Sequence, residues 1–249
     1  MKLSGNTHTG LVRTNNEDSF YIKAISKDVA LAVVADGVGG QEAGEVASGM
    51  TCDVFRNLAE AGTLDMVVDD VSYRGPILTT AAIKAHNNVV EDAQTNGNRV
   101  GMASTLTVVI ADRETGVLAQ VGDSRLYHFS DGTLTQISVD QSLAQRMLDA
   151  GEISEAEAAE HPQRHVLVQA IGADAVDQEW EPIITEFSWQ AGDTLLLCSD
   201  GLTDMVSDDD IAAILAKGSR VERLNKALIK AALKGGGKDN TTVVLLRND

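Results

Sequence analysis

Apolar residues along the chain fall into short unbroken runs and into longer stretches that repeat every four positions. Residues 19–25 (SFYIKAI) and 29–35 (VALAVVA), rich in β-branched and apolar side chains, predict two early strands. The period then changes. Val46, Met50, Val54 and Leu58 predict an amphipathic helix over 42–60, and Ile77, Ala81, Ala85 and Val89 predict another over 76–94. Strands return at 104–112, 116–122 and 125–138, the last a hairpin turning at Asp131-Gly132. Residues 142–165 are polar with a helical pattern, broken by Gly151 and stopped by Pro162, and predict a surface insertion. Strands resume at 166–172, 182–189, 193–199 and 240–246. Between the last two, Ser207 with Asp210 and Ser219 with Glu222 have the spacing of capping boxes at helix starts. Strands and helices in blocks, without strict alternation, predict a layered α+β fold. No repeat or Pro-rich linker divides residues 1–249, which read as one domain with an insertion at about 142–165.

Several of these strands end in aspartate. The run VVADG reaches Asp36, QVGDS reaches Asp123, CSDGL reaches Asp200, and Asp239 stands just before the last run. A single Asp-Gly pair is an ordinary turn, as at Asp131-Gly132. Four aspartates at the ends of four core strands point instead to one shared site. Aspartates gathered without His or Cys suit hard divalent cations, Mg²⁺ or Mn²⁺, rather than zinc. Gly37 and Gly201 lack a Cβ, so their backbone can come close to such an ion. Arg13, Glu17 and Asp18 precede the first predicted strand, and the planar fork of Arg13 matches phosphate oxygens.

Composition narrows the alternatives. The chain is 43% hydrophobic, and its 20 basic against 37 acidic residues give a net charge of −17, which repels a nucleic-acid backbone. The N-terminal MKLSGNTHTG has no apolar core of a signal peptide, and the longest apolar run, 29–35, is too short to span a bilayer. A cytoplasmic protein without a membrane partner is expected. Cys52 and Cys198, the two cysteines, read as buried reduced thiols. Neither is followed six positions later by the arginine of a cysteine phosphatase, since Leu58 and Asp204 stand there. The stretch ALKGGGKDN fails as a P-loop, with Ala232 and Asp239 where Gly and Ser/Thr belong.

Taken together, GLVRTNNEDSF, VVADGVGGQEAGEVAS, GMASTLTVVI, QVGDSRLY, DQSLAQRMLDAGEIS, HPQRHVLVQAIG, LLLCSDGLTDMV and GGGKDNTTVVLL resemble the metal-dependent serine/threonine protein phosphatases of type 2C, in their compact bacterial branch. The resemblance runs nearly end to end. It implies a four-layer α/β/β/α sandwich, two stacked, mainly antiparallel sheets flanked by helices, with the metal centre at one end. It further implies hydrolysis of phosphoserine and phosphothreonine by a water or hydroxide bridging two Mn²⁺ or Mg²⁺ ions, opposing a Ser/Thr kinase or acting on its targets, in a monomer. By resemblance, Asp36 bridges the central ions, Gly37 adds its carbonyl, and Asp200 and Asp239 complete the first ion. Asp18 acts through water, Asp123 with Asp200 holds a weaker third ion, and Arg13 binds phosphate. Residues 142–165 match a flap beside the site.

The chain departs from the pattern where relatives often carry histidines. Val38, Gln41 and Gln141 stand there, so no histidine takes the role of general acid by motif, which leaves a metal-bound water as the proton donor. His161 and His165, flanking the flap, read as surface residues. A catalytically silent regulatory module on the same fold is the alternative, although its usual signature, loss of an aspartate at 36, 200 or 239, is absent. A two-metal nuclease is opposed by charge.

Overall fold

A computed structural model describes residues 1–39, 43–173 and 180–249. It begins with β1 (Lys2–His8), β2 (Asp18–Ala24) and β3 (Ala30–Val38), followed by α1 (Ala43–Glu60), α2 (Met66–Asp69) and α3 (Arg74–Thr95). The middle holds β4 (Ala103–Ser104), β5 (Leu106–Ala111), β6 (Thr115–Val121), β7 (Arg125–Ser130) and β8 (Thr133–Gln136), then α4 (Leu143–Asp149) and α5 (Glu155–Ala159). The last part comprises β9 (Ile183–Ser188), β10 (Thr194–Cys198), α6 (Asp200–Thr203), α7 (Asp208–Leu215), α8 (Val221–Lys234) and β11 (Thr241–Arg247). One sheet has the order β1-β11-β10-β7-β8, the other β2-β3-β5-β6-β9 with β4 alongside β3. Every strand pairing is antiparallel.

The unbroken apolar runs are explained by burial on both faces. Along β3, Ala30, Ala32 and Val34 point between the sheets, while Leu31, Val33 and Ala35 pack among the residues of α1 and α3. On the other sheet, Leu195, Leu197, Val244 and Leu246 enter the same central layer, whereas Leu196, Cys198, Val243 and Leu245 pack toward α7 and α8. Each valine or leucine among them withdrawn from water contributes about 1.5–3 kcal/mol before conformational entropy is set against it. The result is the expected α/β/β/α sandwich.

Four local expectations are corrected. β1 was not expected, because KLSGNTH is polar and half-buried; it is held by pairing along its whole length with β11. Residues 166–172 form no strand, only single bridges such as Ser104 with Ile171, because the neighbouring edge offers two residues and not a ladder. In α1 Val54 of the expected face is buried, but the main seam runs through Ala47, Thr51, Phe55 and Ala59, one position beyond it, with Val46, Met50 and Leu58 at its margin. Ser207 caps α7 as expected, but the residue that precedes α8 is Arg220, which makes no side-chain cap, and the Ser219 carbonyl accepts from Arg247 instead. The hairpin turn is confirmed by left-handed backbone at Asp131 (φ 48°) and Gly132 (φ 83°). Gly151, at φ 71°, separates α4 from α5. No helix among the described residues is long and apolar enough to cross a membrane.

Candidate metal centre

Antiparallel pairing brings several strand ends to one edge of the sandwich. Asp18 of β2 lies opposite Asp36 of β3, and Gly37 lies opposite Ser104. The backbone at Asp36 is clamped: its amide donates to Thr105 Oγ1 at 2.9 Å, and its carbonyl accepts from the Thr105 amide at 2.8 Å and Ser104 Oγ at 3.1 Å. A Cβ on Gly37 would meet the Gly44 carbonyl oxygen at 2.1 Å, so only glycine lets the end of β3 pass α1. Gly201 has a similar reason. Its missing Cβ makes room for the Asn240 carbonyl oxygen, 1.9 Å from where that atom would be, and thereby holds Asp200 beside Asp239.

Asp36, Asp123, Asp200 and Asp239 all line one cavity of about 380 Å³, together with Gly37 and Arg13. Asp18 sits behind them, 6% exposed, with Oδ2 accepting from the hydroxyls of Ser199 and Thr242 at 2.7 Å each. Its Oδ1 is buried without a hydrogen-bond partner. Withdrawal from water pushes the Asp36 carboxyl well above its ordinary range, and the carboxylates of Asp18, Asp200, Asp123 and Asp239 push it further. Burial raises Asp18 to about 7 against the pull of Thr242 and Ser199, and raises Asp123 to about 8 with the help of Asp200 and Asp140. Carboxyl groups crowded in this way resist ionisation unless a cation offsets their charge. The donor set is oxygen, and the orphaned Asp18 Oδ1 adds an unused acceptor; both suit a hard divalent cation.

Arg13 reaches the cluster from the loop after β1, with its guanidinium 2.7 Å from Asp239 Oδ2 and the side chain half-exposed. That loop is organised by Asn240, which the motif reading did not single out. Its side-chain amide donates to the Thr9 and Asn15 carbonyls and its oxygen accepts from the Glu17 amide. Gln141, one of the residues standing where relatives carry histidine, is buried and accepts from the Gly122 amide at 2.6 Å, bracing the turn before Asp123. Val38 is 49% exposed at the cavity and carries no proton to give, and Gln41 lies outside the described residues. His165 corrects the sequence reading: rather than resting on open surface, it places Nδ1 3.3 Å from Asp200 Oδ2 and Nε2 3.2 Å from Asp204 Oδ2. Its contacts with Asp200 and Asp204 raise the imidazole to about 10. Only the fold brings residue 165 to α6, so no local signal announces the contact.

A family model described as Protein phosphatase 2C matches residues 6–235. The chain belongs to the protein phosphatase 2C family. Serine/threonine protein phosphatase PstP of Mycobacterium tuberculosis is 38% identical over 248 residues, covering 98% of this chain and 44% of that protein, so the chain spans less than half of that relative's length. The Streptococcus agalactiae serine/threonine phosphatase structure superposes with a TM-score of 0.89 at 32% identity, covering 100% of this chain and 99% of the other. The catalytic domain of PstP in complex with two manganese ions superposes with a TM-score of 0.79 at 34% identity, covering 98% of this chain and 96% of that one. As a protein phosphatase 2C domain, the chain has its clustered carboxylates at one end of the paired sheets.

Proposed function

We propose that the chain is a metal-dependent phosphatase that removes phosphate from serine and threonine in proteins. The observation that carries this reading is the convergence of Asp36, Asp123, Asp200 and Asp239 on one cavity shared with Arg13. Asp36, Asp200 and Asp239, with the Gly37 carbonyl, would hold two central Mn²⁺ or Mg²⁺ ions; Asp18 would act through water, and Asp123 with Asp200 would hold a third, weaker ion. When bound, such a pair lowers the pKa of a shared water and neutralises charge during in-line displacement at phosphorus.

The chain's own residues orient the reaction. The Asp36 amide donates to Thr105 Oγ1 and its carbonyl accepts from Ser104 Oγ, which fixes the central carboxylate, and the hydroxyls of Ser199 and Thr242 hold Asp18 with one oxygen free. Arg13, anchored at Asp239 through one nitrogen, keeps other N–H groups to receive phosphate oxygens. The segment 142–165 borders a second cavity of about 310 Å³ that shares Asp123, His165, Asp200 and Asp204 with the first. We take that segment as a flap over the protein substrate. A Ser/Thr kinase or its targets supply that substrate, and the buried free thiols of Cys52 and Cys198 agree with a reducing cytoplasm.

Retention of every aspartate favours catalysis over a silent module. The test is release of phosphate from a phosphothreonine peptide in Mn²⁺, with chelator and Asp36→Asn as controls. Turnover that depends on metal and vanishes in Asp36→Asn is expected. A well-folded, Mn²⁺-loaded protein without turnover would overturn the proposal in favour of the silent module.

A further inference from the structure

The segment 142–165 returns to the cluster through two adjacent basic side chains. Arg164 stands 3.5 Å from Asp204 Oδ2, and His165 contacts both Asp200 and Asp204. One nitrogen of His165, one oxygen of Asp123 and one of Asp200 lie within 4.8 Å of one another. Donors at about 2.1–2.4 Å from a single dication stand at most about 4.8 Å apart, so the three fit around one ion. His165 is 40% exposed and lines both cavities, which leaves the position open to cations from solution.

We infer that the outer cation site is a mixed site in which the His165 imidazole is a direct ligand beside Asp123 and Asp200. The inference rests on the proposed phosphatase reading for the central pair and goes beyond it in two respects. First, a nitrogen donor favours a transition-metal dication over Mg²⁺, which takes oxygen donors. The outer site therefore selects Mn²⁺, while the central positions, built from Asp36, Gly37, Asp200 and Asp239, offer only oxygen and discriminate less. Secondly, the ligand belongs to the end of the 142–165 segment. A cation bound there ties that segment to the turn after β6 and to α6, through Asp123 and Asp200, and loss of the cation leaves the tie to hydrogen bonds and charge alone.

The oxygen-only central positions make the test specific, since among the described histidines His165 is the one that lines the carboxylate cavities. Elsewhere, His8 accepts from the Gly10 amide and His128 is held 2.7 Å from Asp193. Electron spin-echo modulation on the Mn²⁺-loaded full chain is expected to show ¹⁴N coupling. In His165→Asn the coupling disappears, circular dichroism and two tightly bound equivalents of Mn²⁺ in calorimetry remain, and the preference of the weakest site for Mn²⁺ over Mg²⁺ falls about tenfold. Absence of nitrogen coupling in the parent protein overturns the inference, as does coupling that survives His165→Asn. Phosphopeptide hydrolysis on the same samples separates the two readings. Turnover without nitrogen coupling removes the His165 ligand alone, whereas a sample that binds Mn²⁺ and has no turnover removes the phosphatase reading.

Discussion

Replacing Gly201 by alanine tests how a missing side chain positions the metal cluster. The new Cβ would lie 1.9 Å from the Asn240 carbonyl oxygen and 3.0 Å from Thr241 Oγ1, where contacts under 3.0 Å essentially never occur. Asn240 cannot yield easily, because its side chain bonds to the backbone at Thr9, Asn15 and Glu17. The start of α6 must move by about 1 Å, and Asp200 moves with it. Overpacking of this kind costs about 1–3 kcal/mol, a shift in Tm of about 2–12 °C in a chain of this size. Displacement of a reacting group by about 1 Å costs about 100-fold in rate. Initial rates on a phosphothreonine peptide, measured below the melting transition across a Mn²⁺ titration, are expected to show a kcat/KM about 100-fold down and a raised Mn²⁺ requirement. Gly49→Ala is the control, since its Cβ would meet nothing within 4 Å inside α1, and a gain of about 0.5–1 kcal/mol with unchanged kinetics is expected. Parental kcat/KM and Mn²⁺ dependence in Gly201→Ala would refute the claim that this close approach holds Asp200 in place.

Arg13→Ala is expected to raise KM at least as much as it lowers kcat, with partial rescue by lysine; unchanged kinetics would leave Arg13 only its contact with Asp239. Asp123→Asn is expected to keep two tightly bound ions in calorimetry, need more Mn²⁺, and lose more rate on a phosphothreonine peptide than on an aryl phosphate, whose leaving group departs unprotonated. Far from the site, Arg74 is 1% exposed and paired with Asp112 at 2.7 Å, so Asp112→Ala should cost about 3–5 kcal/mol in chemical denaturation by stranding a buried guanidinium. Partial burial pushes the Asp112 carboxyl up, but the Thr115 and Glu114 amides and Arg74 outweigh it and leave it below its ordinary value. Its contribution to stability is therefore full above about pH 4 and lost as pH falls further, a slope that denaturation of Asp112→Asn should lack.

Much of the site was legible because its carboxylates sit where apolar runs stop, and a strand buried on both faces stops abruptly. Asp36, Asp123 and Asp200 carry that mark, Asp239 stands where the last run begins, and the structure gathers all four at one cavity. Positions defined by partners remote in sequence carried no such mark. β1 is polar and depends on β11, Asn240 is identified only by the loop it gathers, and His165 meets α6 only after folding. The apolar run at 166–172 misled for the opposite reason: hydrophobicity reported burial, but no full-length neighbour was there to make a ladder. The seam of α1 was offset because alanine and threonine, which score weakly as apolar, pack closest to the sheet.

The placement of β11 sets when its sheet can close. It is an interior strand, pairing with β1 on one side and β10 on the other, with Lys2 opposite Arg247. During synthesis, β1 has no neighbour in its sheet until β11 emerges from the ribosome, at about 5–20 residues per second. Asp239 is made just before it, immediately ahead of β11. Closure of the sheet and completion of the carboxylate cluster are thus one event, and a nascent chain still short of both has neither.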